Sequence, residues 1–182
     1  MLLIARFTIF ASLAVIALRG EDLEGPSLCE ALLHLGDFTE KSVTIRGEIV
    51  TGREVFYLQD PSCKVGPKTG EYVWPPNLWL TPPNARASLS ENRKYDRASF
   101  DHFWAEFDIA KAKSRSIQVV ATVTGTIRTR KDLGAVRAGD GQWLTNGFGH
   151  QNMFPAEMVL ESISNWIIRP TKPSAIGQSS GE

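Results

Sequence analysis

The stretch Val43-Thr-Ile-Arg-Gly-Glu-Ile49 decides the fold class, because its apolar and polar residues alternate with a period of two. Such alternation is typical of a strand that buries one face and exposes the other. Gly52 and Arg53 then supply a turn, and the apolar residues Val55 to Leu58 form the returning strand. The stretch therefore predicts a β-hairpin near the start of the folded region.

Three further segments carry strand signals. The short apolar run Asn77 to Leu80 lies between prolines, and we expect an edge strand there because proline cannot donate to a ladder. Residues 117–127 alternate through the longest strand, and Glu157 to about Ile168 is rich in apolar and β-branched residues. A glycine-rich loop is expected between these last two strands, from Arg130 to about Asn152.

Two helices are predicted. Ser27, followed three residues later by Glu30, is the signature of a capping box, and it opens a short leucine-rich helix that we expect to end at Gly36. A second helix, from about Ser99 as its cap to Lys113, carries an apolar face of residues spaced i, i+3, i+4 and i+7: Phe100, Phe103, Trp104 and Phe107.

The order of these elements is helix, strand, strand, strand, helix, strand, strand. It predicts a mainly β domain at residues 26–168: a five-stranded OB-like Greek-key barrel with a helix between strands 3 and 4 and a short N-terminal helix. Gly47 and Gly125 lie in the first and fourth strands, where a small barrel needs sharp bends. Residues 169–182 are rich in Pro, Ser and Gly and are predicted to be a disordered tail.

Residues 1–20 have the pattern of a secretory signal peptide. Arg6 precedes the apolar run Phe7 to Leu18, and the small residue Gly20 follows. The run is shorter than the roughly 20 apolar residues that a membrane span requires. We therefore expect a periplasmic or secreted protein. Because Leu18 and Arg19 stand where small residues favour cleavage, an uncleaved membrane anchor is the alternative.

The chain has two cysteines, Cys29 and Cys63. In an exported protein they are expected to form one disulfide, since oxidising compartments convert available thiol pairs to bridges. Two separate buried thiols are the alternative. A bridge would remove the nucleophile that a hydrolase dyad of Cys63 and His150 requires, so that enzyme class is not favoured. No metal-binding spacing such as Cys-x-x-Cys occurs, and no cofactor is predicted.

The charge balance gives little reason to expect a nucleic-acid partner. The 20 basic and 20 acidic residues cancel, and removal of the leader leaves 18 basic residues against 20 acidic ones. Such a protein has no overall field that attracts phosphate backbones. Single-stranded nucleic acid or an oligosaccharide is nevertheless the alternative ligand, because OB-folds bind both. A nucleic acid would contact basic residues near the fourth strand and would stack on aromatic side chains. These residues are Lys111, Lys113, Arg115, Arg128, Arg130, Lys131 and Arg137, with Tyr57, Trp79 and Trp143.

The segment Gly147-Phe-Gly-His150 is the most site-like part of the sequence. Its glycines allow close backbone approach, and a histidine donates or accepts hydrogen bonds near neutral pH. The alternative is a structural turn in which Phe148 plugs one end of the barrel. Nearby polar residues and one tryptophan suit a polar pocket with an aromatic wall: Trp143, Asn146, Gln151 and Asn152. The candidate binding residues come from this loop and from one face of the barrel strands. They are Arg46, Phe56, Trp79, Thr124, Trp143, Phe148 and His150.

Several of these segments resemble a group of small exported bacterial proteins of OB-fold-like type that have no established activity. The segments are Cys29 to Leu33, Val43 to Ile49, Asp60-Pro-Ser-Cys63, Gly147 to His150 and the closing run Glu161-Ser-Ile-Ser. The resemblance covers most of residues 27–168, and it supports the fold and the bridge while implying no catalytic residue. We therefore expect a binding or interaction module for an envelope or extracellular ligand, which touches a membrane only through an uncleaved leader.

Overall fold

The structure is a computed structural model, and it describes residues 25–82, 95–114 and 116–171. Within these residues, the elements in chain order are α1 (Leu28–Leu33), α2 (Leu35–Phe38), β1 (Ser42–Thr51), β2 (Phe56–Gln59), β3 (Lys68–Thr69), β4 (Tyr72–Val73), β5 (Asn77–Thr81), α3 (Arg97–Lys113), β6 (Ile117–Thr129), β7 (Ala135–Arg137), β8 (Trp143–Thr145) and β9 (Ala156–Pro170). A 3₁₀ turn, His150–Asn152, precedes β9.

Five of the strands close into a barrel in the order β1, β2, β5, β9, β6, with β6 pairing back to β1. The pairing of β5 with β9 is parallel, and the other pairings within the barrel are antiparallel. Helix α3 connects the third barrel strand, β5, to the fourth, β6. The predicted five-stranded OB-like barrel with a helix at this position is confirmed.

The barrel interior is filled by the apolar residues that alternate along the strands. Ile45, Leu58 and Leu78 are at most 1% exposed, and they face the interior from three adjacent strands. The helices add their own apolar faces to the same cluster, α1 through Leu28 and Leu32 and α3 through its phenylalanines. The period of two in the strands is thus the pattern that one shared core requires.

The first helical segment differs from the prediction at its end. Ser27 caps α1 as expected, accepting a hydrogen bond of 3.1 Å from the backbone N–H of Glu30. However, α1 stops at Leu33, and after His34 a second short helix runs through Gly36 to Phe38. The predicted end at Gly36 is therefore wrong, because this glycine adopts a helical conformation instead of the left-handed one that ends helices.

The cap of α3 also differs from the prediction. The helix begins at Arg97, and Asp96 accepts a hydrogen bond of 3.2 Å from the backbone N–H of Ser99. The hydroxyl of Ser99 donates to the Asp96 carbonyl at 2.9 Å, so this serine lies inside the first turn. A carboxylate at this end also interacts favourably with the positive end of the helix dipole.

Strand β5 was predicted as an edge, and this prediction is wrong. It pairs with β2 on one side and with β9 on the other, so it lies inside the closed barrel. The neighbouring prolines do not prevent this, because Pro75, Pro76 and Pro82 all lie outside the strand and occupy no position in its ladders.

The connections and the C-terminal boundary contain more structure than the sequence indicated. The segment after β2 includes the hairpin of β3 and β4, and the predicted loop from Arg130 includes the hairpin of β7 and β8.

Strand β9 continues to Pro170, and the N–H of Thr171 donates to the Ser116 carbonyl at 3.0 Å, so these residues are not part of a disordered tail. Residues 172–182 lie outside the described part.

The predicted leader, residues 1–20, also lies outside the residues that the structure describes. Of the helices in the described ranges, none has both the length and the apolar character needed to cross a membrane.

Strand β6 bends sharply where the sequence places Gly125. Its pairing with β9 shifts register twice, between Val120 and Thr122 and again between Thr124 and Gly125. A Cβ atom on Gly125 would lie 2.5 Å from the carbonyl oxygen of Val159, so no larger residue fits without displacing β9. The expectation that glycine permits a tight bend here is confirmed.

A disulfide joins Cys29 in α1 to Cys63 in the loop after β2, with the two Cα atoms 5.5 Å apart. The predicted bridge is confirmed, and the alternative of two separate thiols is excluded. The bridge attaches the first helix to the barrel segment that leads into the β3–β4 hairpin. Both thiols of the described chain are consumed by it.

The bridge spans 34 residues of sequence. A loop of that length restricts the unfolded chain enough to contribute about 3 to 4 kcal/mol to the free energy of unfolding. We expect the double variant Cys29→Ala, Cys63→Ala to lose about this much in urea denaturation, and the reduced wild-type protein to lose the same. A double variant as stable as the oxidised wild type would contradict the prediction.

Candidate functional site

The face on which OB proteins commonly stack their ligands is covered here by the chain's own loop. Tyr57 and Trp79 are register partners on β2 and β5, and both point away from the core. The ring of Phe154, in the loop before β9, lies 5.3 Å from the Tyr57 ring and 5.1 Å from the Trp79 ring. Gly149, at φ 69°, approaches the Trp79 indole so closely that a Cβ atom would collide with it.

Hydrogen bonds and a cation hold this loop in place. Phe148 and Phe154 exchange backbone hydrogen bonds of 2.8 and 3.2 Å, which fold the loop back on itself. The guanidinium of Arg130 lies 5.2 Å from the Phe148 ring centroid, and its Nε donates to the Gly147 carbonyl at 3.2 Å. Phe148 is only 8% exposed, so it serves as a structural residue of the loop.

His150 links this loop to the β1–β2 turn. Its Nδ1 lies 3.3 Å from the Oε2 atom of Glu54, and its side chain is 40% exposed. It cannot act as a base toward Cys63, because that sulfur is bonded to Cys29. The segment that the sequence singled out therefore closes the loop over the barrel, and His150 is its accessible member.

The other barrel residues in the predicted site do not share one surface with Trp79. Phe56 precedes Tyr57 in β2, so it points to the opposite side of the sheet, where its ring lies 5.6 Å from Trp104 of α3. Arg46 lies outside the barrel on β1, and its Nη1 donates to Thr122 Oγ1 at 3.2 Å and to a β9 carbonyl at 3.1 Å.

Thr124 also lies on the β1–β6 side, where its hydroxyl forms a 2.9 Å hydrogen bond with Thr44. The side chains of Arg46 and Thr124 therefore form hydrogen bonds to other strands. Arg46 lies in the part of β1 that does not pair with β2, and Thr124 pairs with that part. The predicted continuous face of Phe56, Trp79, Arg46 and Thr124 is not formed, because the pleat and the strand order separate these residues.

A different surface has the properties of a binding site. A groove of about 570 Å³ opens where the two hairpins meet the 3₁₀ turn. It is lined by Tyr72 of β4, by residues 142–145 around β8 and by residues 151–153 before β9, and we call it the Trp143 groove. Its volume lies within the roughly 300 to 1,000 Å³ typical of small-molecule sites.

The aromatic wall of the groove is rigidly anchored. The Trp143 side chain is 37% exposed, and its ring lies 5.3 Å from that of Tyr72. Tyr72 in turn packs edge-to-face on Trp74, at a ring separation of 5.0 Å. Trp74 is 1% exposed and donates from Nε1 to Thr69 Oγ1 at 2.9 Å. An exposed indole is thus supported by a buried one.

The opposite wall is polar and conformationally strained. Gln151 and Asn152 both adopt left-handed backbone conformations at φ 55°, which cost L-residues about 1 to 2 kcal/mol each. The carbonyl of Asn152 accepts from the Gly147 N–H at 3.0 Å, which helps to hold the turn. Gln142 and Thr145 add an amide and a hydroxyl, and each residue named as lining the groove is uncharged. Strained backbone of this kind is typical of binding sites.

The sequence identified three of the eight residues that line this groove. It grouped Trp143, Gln151 and Asn152 as a polar pocket with an aromatic wall, and the structure brings these three together. Asn146 is not in the pocket, since its amide bonds the Gly134 N–H and the Asp132 carbonyl, both at 2.7 Å. Tyr72 was missed, although Gly70 before it marks a tight hairpin turn.

A second groove, of about 390 Å³, lies between α3 and the end of β9. Its walls are mostly apolar, with Ile109 and Trp166 on opposite sides. The Trp166 Nε1 donates to Glu106 at 2.6 Å, and Glu106 also lies 3.1 Å from His102. His102 and Glu106 therefore lie in contact on the exposed surface of α3, one turn apart.

The predicted nucleic-acid surface includes Arg115, which lies outside the described residues, and its described basic residues do not form one cluster. Lys111 and Lys113 end α3 beside the start of β6, whereas Arg128 and Arg130 lie at its far end. Thirteen residues of extended strand separate these ends by up to about 40 Å. Two of the arginines are already engaged, Arg130 with Phe148 and Arg128 at 3.7 Å from Glu40.

The covering loop can be tested through Phe154, which is 7% exposed. We expect Phe154→Ala to lower the free energy of unfolding by about 3 kcal/mol and to increase acrylamide quenching of tryptophan fluorescence, because Trp79 loses its cover. The adjacent Met153→Ala, at a side chain that is 44% exposed, should cost less than about 1 kcal/mol. Equal effects of the two substitutions would show that the loop does not depend on this contact.

Among the described residues, no group of three or more His, Cys, Asp or Glu side chains is arranged to hold a metal ion. In comparisons with known proteins, no family model, curated protein or solved structure matches the chain.

Proposed function

We propose that this protein is an exported binding module, periplasmic or secreted, that holds its ligand in the Trp143 groove. One observation carries the proposal: an exposed tryptophan that packs on Tyr72 stands in a groove with an uncharged lining, four residues of which are polar, while Phe154 packs on the aromatic face of the barrel. The barrel is then the scaffold, and the inserted loops carry the function.

Export is supported by the leader pattern and by the bridge. Residues 1–20 have the charge and apolar run of a signal peptide, and Cys29 and Cys63 form a disulfide of the kind that persists in oxidising compartments. An uncleaved leader that anchors the same module to a membrane is the alternative. We also propose that the chain belongs with the small exported bacterial OB-like proteins that it resembles.

Binding by the groove is favoured over binding by the barrel strands. A ligand that stacked on Tyr57 or Trp79 would first have to displace Phe154, which packs on both rings. The Trp143 groove needs no such opening, because its tryptophan is already exposed. Its neutral lining and the dispersed basic residues also weigh against single-stranded nucleic acid, whose affinity depends on phosphate contacts.

Location is tested by expressing the full chain with its leader in a bacterium that has a periplasm. We expect the protein in the periplasm or the medium, with an intact mass that lacks the leader and increases by about 2 Da on reduction, because one bridge opens. Full-length chain in the cytosol would overturn the exported part of the proposal, and full-length chain in the membrane would favour the anchor.

Binding is tested on ¹⁵N-labelled mature protein by titration with the solubilised envelope fraction of a bacterium. We expect amide shift changes at residues 142–145 and 151–153, which line the groove. Trp143→Ala should abolish them. The matched control is Val136→Ala on the same hairpin, which removes a side chain that is 70% exposed and lies outside the groove lining.

Shift changes confined to β2 and β5, or a Trp143→Ala variant that responds like wild type, would overturn the assignment of the groove. A 20-nucleotide oligo-dT added at about 50 mM salt serves as the nucleic-acid comparison, since weak phosphate binding is strongest at low salt.

A further inference from the structure

Beside the apolar residues Leu144 and Met153, the Trp143 groove is lined by polar side chains that both donate and accept hydrogen bonds. Gln142, Gln151 and Asn152 are exposed amides, and each presents both N–H donors and a carbonyl acceptor. A carboxylate only accepts and an ammonium only donates, whereas a hydroxyl does both. A cluster of amides therefore complements a ligand rich in hydroxyl groups.

The aromatic wall of the groove complements the apolar ring faces of a hydroxyl-rich ligand such as a sugar. A pyranose ring carries its C–H groups on its faces and its hydroxyls on its rim, so it can lie flat on an indole while its rim reaches polar groups. Trp143 presents such an indole, held in place by Tyr72 and the buried Trp74. Because the Trp143 ring already packs on Tyr72, stacking of a ligand on its exposed face would keep that contact.

A second cavity lies next to the Trp143 groove. Met153 lines both the Trp143 groove and a smaller neighbouring cavity of about 230 Å³. That cavity reaches Tyr57 and His150, near the contact between the loop and the β1–β2 turn. A ligand of several linked units that is bound at Trp143 would have this cavity beside it, on the other side of Met153.

We propose that the ligand of the Trp143 groove is a neutral oligosaccharide, with one sugar ring stacked on Trp143 and its hydroxyls bonded to the amides of Gln142, Gln151 and Asn152. The inference rests on the proposed function, and it adds the chemical class of the ligand. A polyanion is the competitor, because Arg137 pairs with Trp143 across the hairpin. It is disfavoured because Arg137 is absent from the groove lining.

The test titrates the mature protein with chitohexaose, cellohexaose and maltohexaose, and in parallel with a heparin oligosaccharide and a 20-nucleotide oligo-dT. We expect at least one neutral hexasaccharide to bind with shift changes at residues 142–145 and 151–153, and neither polyanion to compete with it. Trp143→Ala should weaken that binding by about tenfold or more, and Val136→Ala should leave it unchanged.

A second variant, Gln151→Gly, separates loss of contact from loss of fold. Glycine readily adopts the left-handed conformation that Gln151 holds at φ 55°, so the turn keeps its geometry while the amide is removed. We expect weaker sugar binding by this variant together with a thermal transition no lower than that of the wild type, because glycine also relieves the backbone strain at this position.

The outcomes distinguish this inference from the proposed function. If an envelope fraction shifts the groove residues but none of the three hexasaccharides binds, the sugar assignment is wrong and the binding module stands. Preferential binding of heparin or oligo-dT at the groove likewise overturns the neutral sugar. If nothing in the envelope fraction contacts the groove, the proposed function itself fails.

Discussion

The parallel pairing of β5 with β9 is the constraint on which the rest of the structure depends. It closes the barrel through only three register pairs, from Trp79 with Glu157 to Thr81 with Val159. The Thr81 hydroxyl donates to the Glu157 carboxylate at 2.8 Å, and that carboxylate is buried. The chain must therefore enter β9 directly beside Trp79, and Phe154, three residues before Glu157, is carried onto the Trp79 ring.

This closure determines which surface remains for binding. Once Phe154 covers Tyr57 and Trp79, the strands that OB proteins use as an aromatic platform are shielded by the chain itself. The loop that does so also projects the β7–β8 hairpin outward, where Trp143 meets Tyr72 of the other hairpin. Under the proposed function, the ligand would bind to the loops instead of the strands, and the barrel and the disulfide would serve as their scaffold.

The strands of the barrel were predictable because each carries its own local signal. The alternation from Val43 to Ile49 and along residues 117–127 reflects burial on one face, which any half-buried strand needs whatever its partners are. The short β3–β4 and β7–β8 hairpins have only two or three residues in each strand, too few to show a period. Long-range contacts accompany them instead: Gly147, just after β8, lies against the ring of Trp74, just after β4, where a Cβ atom would come within 2.8 Å of it.

The candidate site was predictable only in part, because sequence patterns report local features, whereas the site also depends on contacts between distant segments. Trp143, Gln151 and Asn152 are close in sequence, so their grouping follows from chain proximity, and the structure retains it. Tyr72 lies some seventy residues earlier and joins the groove only through the fold. Conversely, Phe56 and Trp79 are separated although their strands pair, because adjacent residues in a strand point to opposite faces.

The sequence by itself determined the barrel class, the helix between strands 3 and 4 and the one possible pairing of two cysteines, since these depend on local periodicity and composition. Only the tertiary structure decided that β5 lies inside the barrel, that Phe154 packs on its aromatic face and that Tyr72 joins Trp143 in one groove. Those features depend on the order in which the strands pair around the barrel. That choice is made by long-range hydrogen bonding between β5 and β9, which no local pattern reports.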